Sequence, residues 1–547
     1  MSRTPSAEAT LEVPPLQAPP PPAAAAAPSP APRPLAGDSE PLHGIELVLG
    51  TLALSLATFM NVLDSSIANV SIPAIAGDLG VSPTQGTWVI TSFAVANAIS
   101  MPLTGWLTRR IGQVRLFTAS VLLFVIASWL CGLSPSIEML IFFRVVQGLV
   151  AGPMIPLSQT LLLSSYPRAK AGTAMAMWAM TVLVAPVAGP LLGGWITDNI
   201  SWPWIFYINI PVGMVAAALT WQIFSARESP PQKVPLDRLG LVLLVVWVGA
   251  TQVMFDKGKE LDWFESRLIV ALALVALVAF AFFLIWELTD AHPVVDLSLL
   301  RERNFTMGTV ALSVAYGTFF GTVVLLPLWL QQTLGYTATW AGMAMAPVGL
   351  MAMVLSPWVG KNVGRIDPRR MATFAFIVFA LVMWMRSRFN NQADFLTILW
   401  PTLIQGVGMA FFFIPLQTIS LAGVSQQRMA AATGLSNFVR ITAGAIGTSV
   451  FTTLWESRAD LHHAQLAETI NTGNASAMAT LQQLQANGYS HEQALGVLDR
   501  MIDQQAFTMA ATDLFYLSAG LFLTLIVLVW LSAPQPAGHG TAASGAH

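Results

Sequence analysis

Asp64 is the only carboxylate well inside an apolar stretch long enough to cross a bilayer. Burial in hydrocarbon disfavours the charged form of a carboxylate, which suits a group that takes up and releases a proton. Arg144 sits inside another such stretch. By helix rise, Asp64 lies about 12 Å from the end of its stretch near Ile72, and Arg144 about 10 Å from the end of its own near Ile137. Two opposite charges at similar depth can meet. Arg144 would then stabilise the Asp64 carboxylate in one state and release it in another; a static buried ion pair is the other reading. Arg440 lies near the middle of a later stretch without a carboxylate partner, and either binds an anionic group or shapes the helices around it. Asn61, Asn97, Gln147, Gln159, Gln405, Gln417 and Asn437 also fall within apolar stretches. Each either lines a cavity or hydrogen-bonds a neighbouring helix.

A second group of residues can shape helices. In Ala185-Pro186-Val187-Ala188-Gly189-Pro190-Leu191-Leu192-Gly193-Gly194, helical spacing puts Ala185, Gly189 and Gly193 on one row and Pro186, Pro190 and Gly194 on the next. The first row admits a second backbone at close range, and each proline removes a backbone donor. The run predicts a small-residue stripe beside a bend. Gly105-Trp106-Leu107-Thr108-Arg109-Arg110-Ile111-Gly112 places basic residues between two glycines. Basic residues flanking a span have an ordinary topogenic reading, while glycine permits a tight turn and close approach.

The elements that position these residues follow from composition. Of 547 residues, 55% are hydrophobic and 10% charged, and the mean hydropathy is +0.64. So few charges cannot cover a soluble protein of this length. The net charge of −2 gives no basic field for nucleic acid. Cys131 is the single cysteine, which excludes an internal disulfide, and no phosphate-binding loop or metal-ligand motif is present. His462, His463 and His491 lack the acidic or cysteine company of a metal site.

Hydropathy predicts fourteen spans, at 46–72, 86–108, 116–134, 137–164, 171–197, 202–225, 237–255, 267–288, 304–331, 338–360, 370–389, 394–421, 429–455 and 511–532. Arginine and lysine concentrate on one set of loops, with Arg386 and Arg388 counted among the minority on the other, so both termini are expected in the cytoplasm. Gln147-Gly148 recurs as Gln405-Gly406, Gln159-Thr160 as Gln417-Thr418, Pro102 and Gly105 as Pro357 and Gly360, and Pro73 as Pro327. These ordered echoes make spans one to six the counterparts of nine to fourteen. The expected organisation is a Pro/Ala-rich disordered tail at 1–45, a six-helix half at 46–225, a linker with two extra helices at 226–303, a second half at 304–532 and a tail at 533–547. Duplicated halves of this kind rock about a site at their interface.

Five segments carry a family resemblance: Leu63–Pro73, Gly105–Gly112, Arg144-Val145-Val146-Gln147-Gly148, the Ala185–Gly194 run and Trp202–Pro211. Together they resemble the major facilitator superfamily, in particular its fourteen-span drug:proton antiporters of the EmrB/QacA type. The match departs from the wider superfamily at Arg109, where an acidic residue is usual. Arg458–Leu466 is similar to the EmrB subgroup. The resemblance implies an all-α membrane protein of the major facilitator fold, two six-helix halves plus two inserted helices. Gly105, Arg109, Arg110 and Gly112 would form a conformational gate, and the fifth helix would lie between the halves as a gate contact.

It further implies proton-driven export of hydrophobic toxic compounds across the inner membrane, with no cofactor and no enzymatic activity. Implied partners are a periplasmic adaptor (an EmrA-like membrane fusion protein) and a TolC-like outer-membrane channel. The polar stretch 457–510, with amphipathic segments at 476–484 and 491–502, would face the periplasm as a docking surface or a lid. An exporter of an endogenous lipid or metabolite, or a membrane sensor or scaffold that moves nothing, are the alternatives.

Overall fold

The computed structural model describes residues 41–534 except 168–169, 233, 236, 291–292, 337 and 471–473; the side chains at 83–84, 183, 186–187, 190–191 and 338–339 also lie outside the described residues. Nearly all of both expected tails falls outside it. Every described element is a helix. That is what hydrocarbon demands, since a spanning segment must satisfy its backbone groups internally.

The first half of the chain comprises α1 (Gly44–Asp78), α2 (Pro83–Gly86), α3 (Trp88–Ser100), α4 (Thr104–Ile111), α5 (Gln113–Gly132) and α6 (Ile137–Ala151). It continues with α7 (Met154–Ser165), α8 (Ala171–Asn199), α9 (Trp204–Tyr207) and α10 (Asn209–Phe224). The inserted pair is α11 (Arg238–Lys257) and α12 (Arg267–Thr289). The remainder is α13 (Arg303–Gln332), α14 (Ala338–Asn362), α15 (Pro368–Arg386), α16 (Phe395–Leu421), α17 (Met429–Thr469), α18 (Ala475–Ala486) and α19 (His491–Trp530). Side-chain caps start several of them: Ser136, Asp237, Asp367, Asp394, Asn474 and Ser490 each accept from a backbone N–H of the following turn.

All fourteen expected spans are helical. Among the described residues, eleven helices are long and apolar enough to cross a membrane, and the pair α3–α4, bent by 63°, makes a twelfth. The break falls at Pro102, where the ring removes a donor. The other two expected spans are α8, of which Ala171–Val182 is a shorter apolar helix, and α17, whose buried face is built from Thr433, Ser436, Asn437 and Arg440. Large apolar side chains cover the outside; Leu277 and Val527 are each 66% exposed, a surface suited to lipid.

Two expectations need correction. The segment 457–510 is mostly helix: α17 continues to Thr469, and the stretch expected as a separate helix at 491–502 is the beginning of α19, which runs unbroken into the last span. The capping box of Ser490 and Gln493 starts that helix well before its apolar part. Arg386, counted as a loop residue from its place at a span end, is fully buried.

The internal repeat reappears as repeated packing. Gly148 of α6 presses on the Phe93 carbonyl of α3, and its echo Gly406 of α16 presses on the Val348 carbonyl of α14. Gly193 of α8 presses on the Ile67 carbonyl of α1, and Gly447 of α17 presses on Gly317 of α13. Such absences of a Cβ let helix backbones meet. Between halves, Gly105 of α4 abuts Ala431 of α17, while its echo Gly360 of α14 abuts Gly172 of α8.

The inserted pair has no counterpart in this symmetry. Helix α11 lies along the seam of α3 and α17, where Leu244 and Val248 pack with Ile99, Met101, Leu435 and Phe438. Its far end is tied to both. Asp256 bonds the Thr91 hydroxyl, and Lys257 Nζ donates to Thr87 Oγ1 at 2.6 Å. On the other side, Ser449 Oγ donates to the Phe255 carbonyl at 2.8 Å. Trp263 Nε1 donates to Thr453 Oγ1 at 2.9 Å, and Lys259 pairs with Glu456 at 2.6 Å.

Candidate functional site

Helices α1, α6 and α10 bring Asp64, Arg144, Gln147 and Asn209 together. Arg144 Nη1 donates to Asp64 Oδ2 at 2.5 Å, and both side chains are fully buried. Asp64 Oδ1 accepts from Gln147 Nε2 at 3.1 Å and from Asn209 Nδ2 at 2.9 Å. Arg144 also donates to Gln147 Oε1 at 2.7 Å and to the Val89 carbonyl at 3.0 Å. The Phe93 ring lies 4.2 Å from its guanidinium carbon. This offsets much of the cost of burying ions, because the carboxylate has three charge-matched or neutral donors and the cation several acceptors, with Arg144 Nη2 left without one. Asn209 lies in one of the quoted segments, but nothing about an asparagine at a helix start marked it as a ligand of Asp64.

The other polar residues separate into groups. Asn61 donates to the Ala151 carbonyl at 3.0 Å and lines a cavity. Asn97 lines the same cavity. Gln159 Oε1 accepts from Asn437 Nδ2 at 3.0 Å, a hydrogen bond between the halves, and Thr160 meets Thr433 beside it at 3.1 Å. Gln405 accepts from Arg386 at 2.7 Å, with Thr402 Oγ1 at 3.2 Å from the same nitrogen. Gln417 is buried with neither amide atom hydrogen-bonded. By the repeat offset, Thr402 and Gln405 stand where Arg144 and Gln147 stand in the first half. The second half thus keeps the glutamine and supplies a cation from another helix, and among the described residues no carboxylate pairs with it.

The cavity lies between the halves and measures about 330 Å³. Its wall includes Asn61, Ser65, Phe93, Met101, Tyr316, Phe320, Phe438 and Arg440. Asp64 is not part of this wall, but Phe93, which is, lies against the guanidinium of its partner Arg144. Arg440 is on it, with the Tyr316 ring 4.6 Å and the Phe413 ring 5.2 Å from its guanidinium carbon.

The segment expected to form a gate, Gly105–Gly112, is built around an elbow. Gly112 joins α4 to α5 with φ +100, a conformation that favours glycine. Glu228, from the chain after α10, fills the elbow: its carboxylate accepts from the Arg115 N–H at 2.7 Å and the Val114 N–H at 3.2 Å. The same strand of chain continues over the segment. The Arg109 carbonyl accepts from Gln232 N at 2.7 Å, and Arg110 and Trp106 donate to the carbonyls of Val234 and Pro235 at 2.9 and 3.1 Å. In the second half the acid is local. Partial burial pushes Asp367 up, but hydrogen bonds from Arg369 outweigh this and hold it below the usual carboxylate range.

The small-residue stripe faces a different neighbour from the one expected. Gly189 and Gly193 lie on Ser66 and Ile67 of α1, and Ser66 Oγ donates to the Ala185 carbonyl at 3.4 Å. Gly194 is only loosely approached by Val70. The stripe is therefore a seam inside one half, and α8 reaches the other half through Gly172 instead. The bend expected at Pro186 and Pro190 rests on side chains outside the described residues; the helix is continuous through them.

Comparison with known proteins agrees with this geometry. The family model for the Major Facilitator Superfamily matches residues 54–448. The chain belongs to the major facilitator superfamily. Within the superfamily it is 53% identical over 509 residues to the multidrug export protein EmrB of Escherichia coli strain K12, covering 93% of this chain and 99% of that one. It is 50% identical to the fatty acid resistance protein FarB of Neisseria gonorrhoeae, covering 91% and 98%. Among solved structures, the proton:xylose symporter XylE superposes with a TM-score of 0.54 at 13% identity, covering 88% and 96%, which shows the shared fold. The chain is a multi-pass membrane protein of a family of non-enzymes.

Proposed function

We propose that the chain is a proton-driven exporter of hydrophobic toxic compounds in a bacterial inner membrane, with both termini cytoplasmic. The observation that carries this reading is a buried Asp64–Arg144 pair in contact, through Phe93, with an apolar cavity between two packed halves. Protonation of Asp64 removes the charge that holds Arg144, Gln147 and Asn209 in place. That rearranges the wall contributed by α1 and α3, and so links proton occupancy to cavity shape. In this orientation the close contacts Gly105–Ala431 and Gly172–Gly360 lie at the cytoplasmic end, so the halves are closed there. The extensions of α17 and α19, with α18, then project outward, where an adaptor leading to an outer-membrane channel would dock. Support for this comes from near-full-length similarity to a protein named for multidrug export.

Proton/drug exchange in everted vesicles tests the reading. Asp64→Asn should abolish gradient-driven uptake while leaving membrane insertion unchanged. Unchanged exchange in that variant would refute the coupling, and a wild-type chain that moves no compound would favour a sensor or scaffold.

A further inference from the structure

Glu287, near the end of α12, is 4% exposed. Its Oε2 accepts from the Val295 N–H at 3.2 Å, and its Oε1 has no hydrogen-bond partner. Asp237 lies beside it as the half-buried cap of α11. Its Oδ1 accepts from the Gly240 N–H and its Oδ2 from Trp286 Nε1, each at 2.9 Å. The two carboxylates share one small space. A Cβ on Gly240 would overlap both Asp237 Oδ2 and Glu287 Oε1, so the bare glycine makes room for the pair. The charged groups that face Glu287 among the described residues are Asp237 and Asp290, both acidic. Asp296 of the following linker is turned instead to Arg428 of the second half, at 3.0 Å. Carboxylates this close, one of them buried, are costly to ionise together, and sharing a proton relieves the cost.

We propose that Glu287 and Asp237 form a proton-binding site, separate from Asp64, whose proton holds the linker 293–301 against the second half. The proton sits on Glu287 Oε1, the oxygen without a partner, and is donated to Asp237 Oδ2. Glu287 Oε2 then stays on the Val295 N–H. The linker's Val294, Val295 and Leu299 are 2%, 3% and 1% exposed, and they pack with Leu421, Ala432 and Leu435. Arg428 clasps the linker from the same side, donating to Asp296 and Ser298. Next to Ala432, Ala431 abuts Gly105 where the halves meet. Loss of the proton leaves two negative charges around Gly240. Glu287 then turns towards water, the Val295 N–H is released, and the linker comes away from that contact. The docked linker binds the proton more tightly than the released one, so docking is favoured at low pH and lost as the pH rises. Naming this side cytoplasmic rests on the orientation proposed above; the site itself does not.

Amide hydrogen exchange of the full-length protein in lipid nanodiscs tests it, at about pH 6 and about pH 8.5, with rates normalised for the intrinsic pH dependence of exchange. Protection of the linker amides should fall about tenfold across that range in the wild type, while the amides of α15 serve as an unchanging reference. Glu287→Gln keeps an acceptor for Val295 and carries no charge, so protection should stay high at both pH values. Asp237→Asn keeps the helix cap but removes the like charge, so the fall should move to higher pH. It serves where the glutamine variant does not fold. Linker protection that is the same at both pH values in the wild type would overturn the proposal. So would a glutamine variant that loses protection with pH as the wild type does, or lacks it at both, or an asparagine variant whose fall coincides with that of the wild type. No transport is measured here, and the vesicle assay on Asp64→Asn is read separately. Loss of the exporter reading and loss of this proton site are therefore distinct results.

Discussion

At the scale of single residues, the charge pair is held by more groups than the pair itself. Removing one partner leaves the other buried and unpaired, which costs about 3–5 kcal/mol. Arg144→Ala should therefore lower the thermal midpoint in detergent more than Asp64→Asn, since asparagine keeps hydrogen-bonding capacity for Gln147 and Asn209. Combining Asp64→Asn with Arg144→Gln should recover part of the loss, because the two sites are coupled; strict additivity would show that they do not interact. Residue type and depth made Asp64 and Arg144 legible in the sequence. Arg386 was not legible, because a basic residue at the end of an apolar stretch has the signature of a topogenic flank. Only the arrival of Gln405 and Thr402 from α16 shows it to be interior. Arg109, where the superfamily usually has an acid, was visible as a departure. That the elbow takes Glu228 from more than a hundred residues downstream was not, since no local pattern marks such a pairing.

At the scale of helices, the spacing of small residues was readable but the identity of the neighbour was not. The row Ala185–Gly189–Gly193 could seat any helix; α1 occupies it. The repeat then makes a differential prediction. A Cβ on Gly189 would overlap the Ser66 side chain, whose hydroxyl can rotate away and whose Cβ lies at 2.8 Å, and stay 3.1 Å from the Ile67 nitrogen, whereas one on Gly447 would overlap the Gly317 backbone itself, with Cα at 2.7 Å. Gly447→Ala should thus destabilise the protein more than Gly189→Ala, as read from thermal unfolding and folded yield. The reverse order would show that the Gly317 backbone gives way more readily than the Ser66 side chain. The inter-half contacts call for a different readout. Gly105→Val and Gly172→Val add volume where Ala431 and Gly360 abut, so each should open that end of the molecule with little change in stability. Distances between spin labels on α4 and α17, or on α8 and α14, should lengthen.

At the scale of the molecule, twelve helices' worth of pseudo-symmetry is broken by one inserted pair. Two seams separate the halves, α3–α4 with α17 and α8 with α14. The inserted helix α11 seals the first, and Ile99 and Leu435 are 8% and 6% exposed beneath it. Away from this cover, beside Tyr166, Met177 of α8 is 41% exposed. In a Cys131→Ser background, a lipid-soluble maleimide should label Met177→Cys readily and Ile99→Cys or Leu435→Cys hardly at all. Equal labelling would show that the pair swings away in the bilayer. The presence of two surplus helices was legible from the count of apolar stretches, but which seam they cover depends on long-range ties such as Trp263 to Thr453 that no periodicity encodes.

That one-sided cover bears on traffic. A solute dissolved among the acyl chains approaches from every compass direction, yet on one flank the inserted helix stands between it and the central chamber. Its route inward then depends on the side from which it arrives, and the lipids packed against that helix become part of the selectivity of the machine.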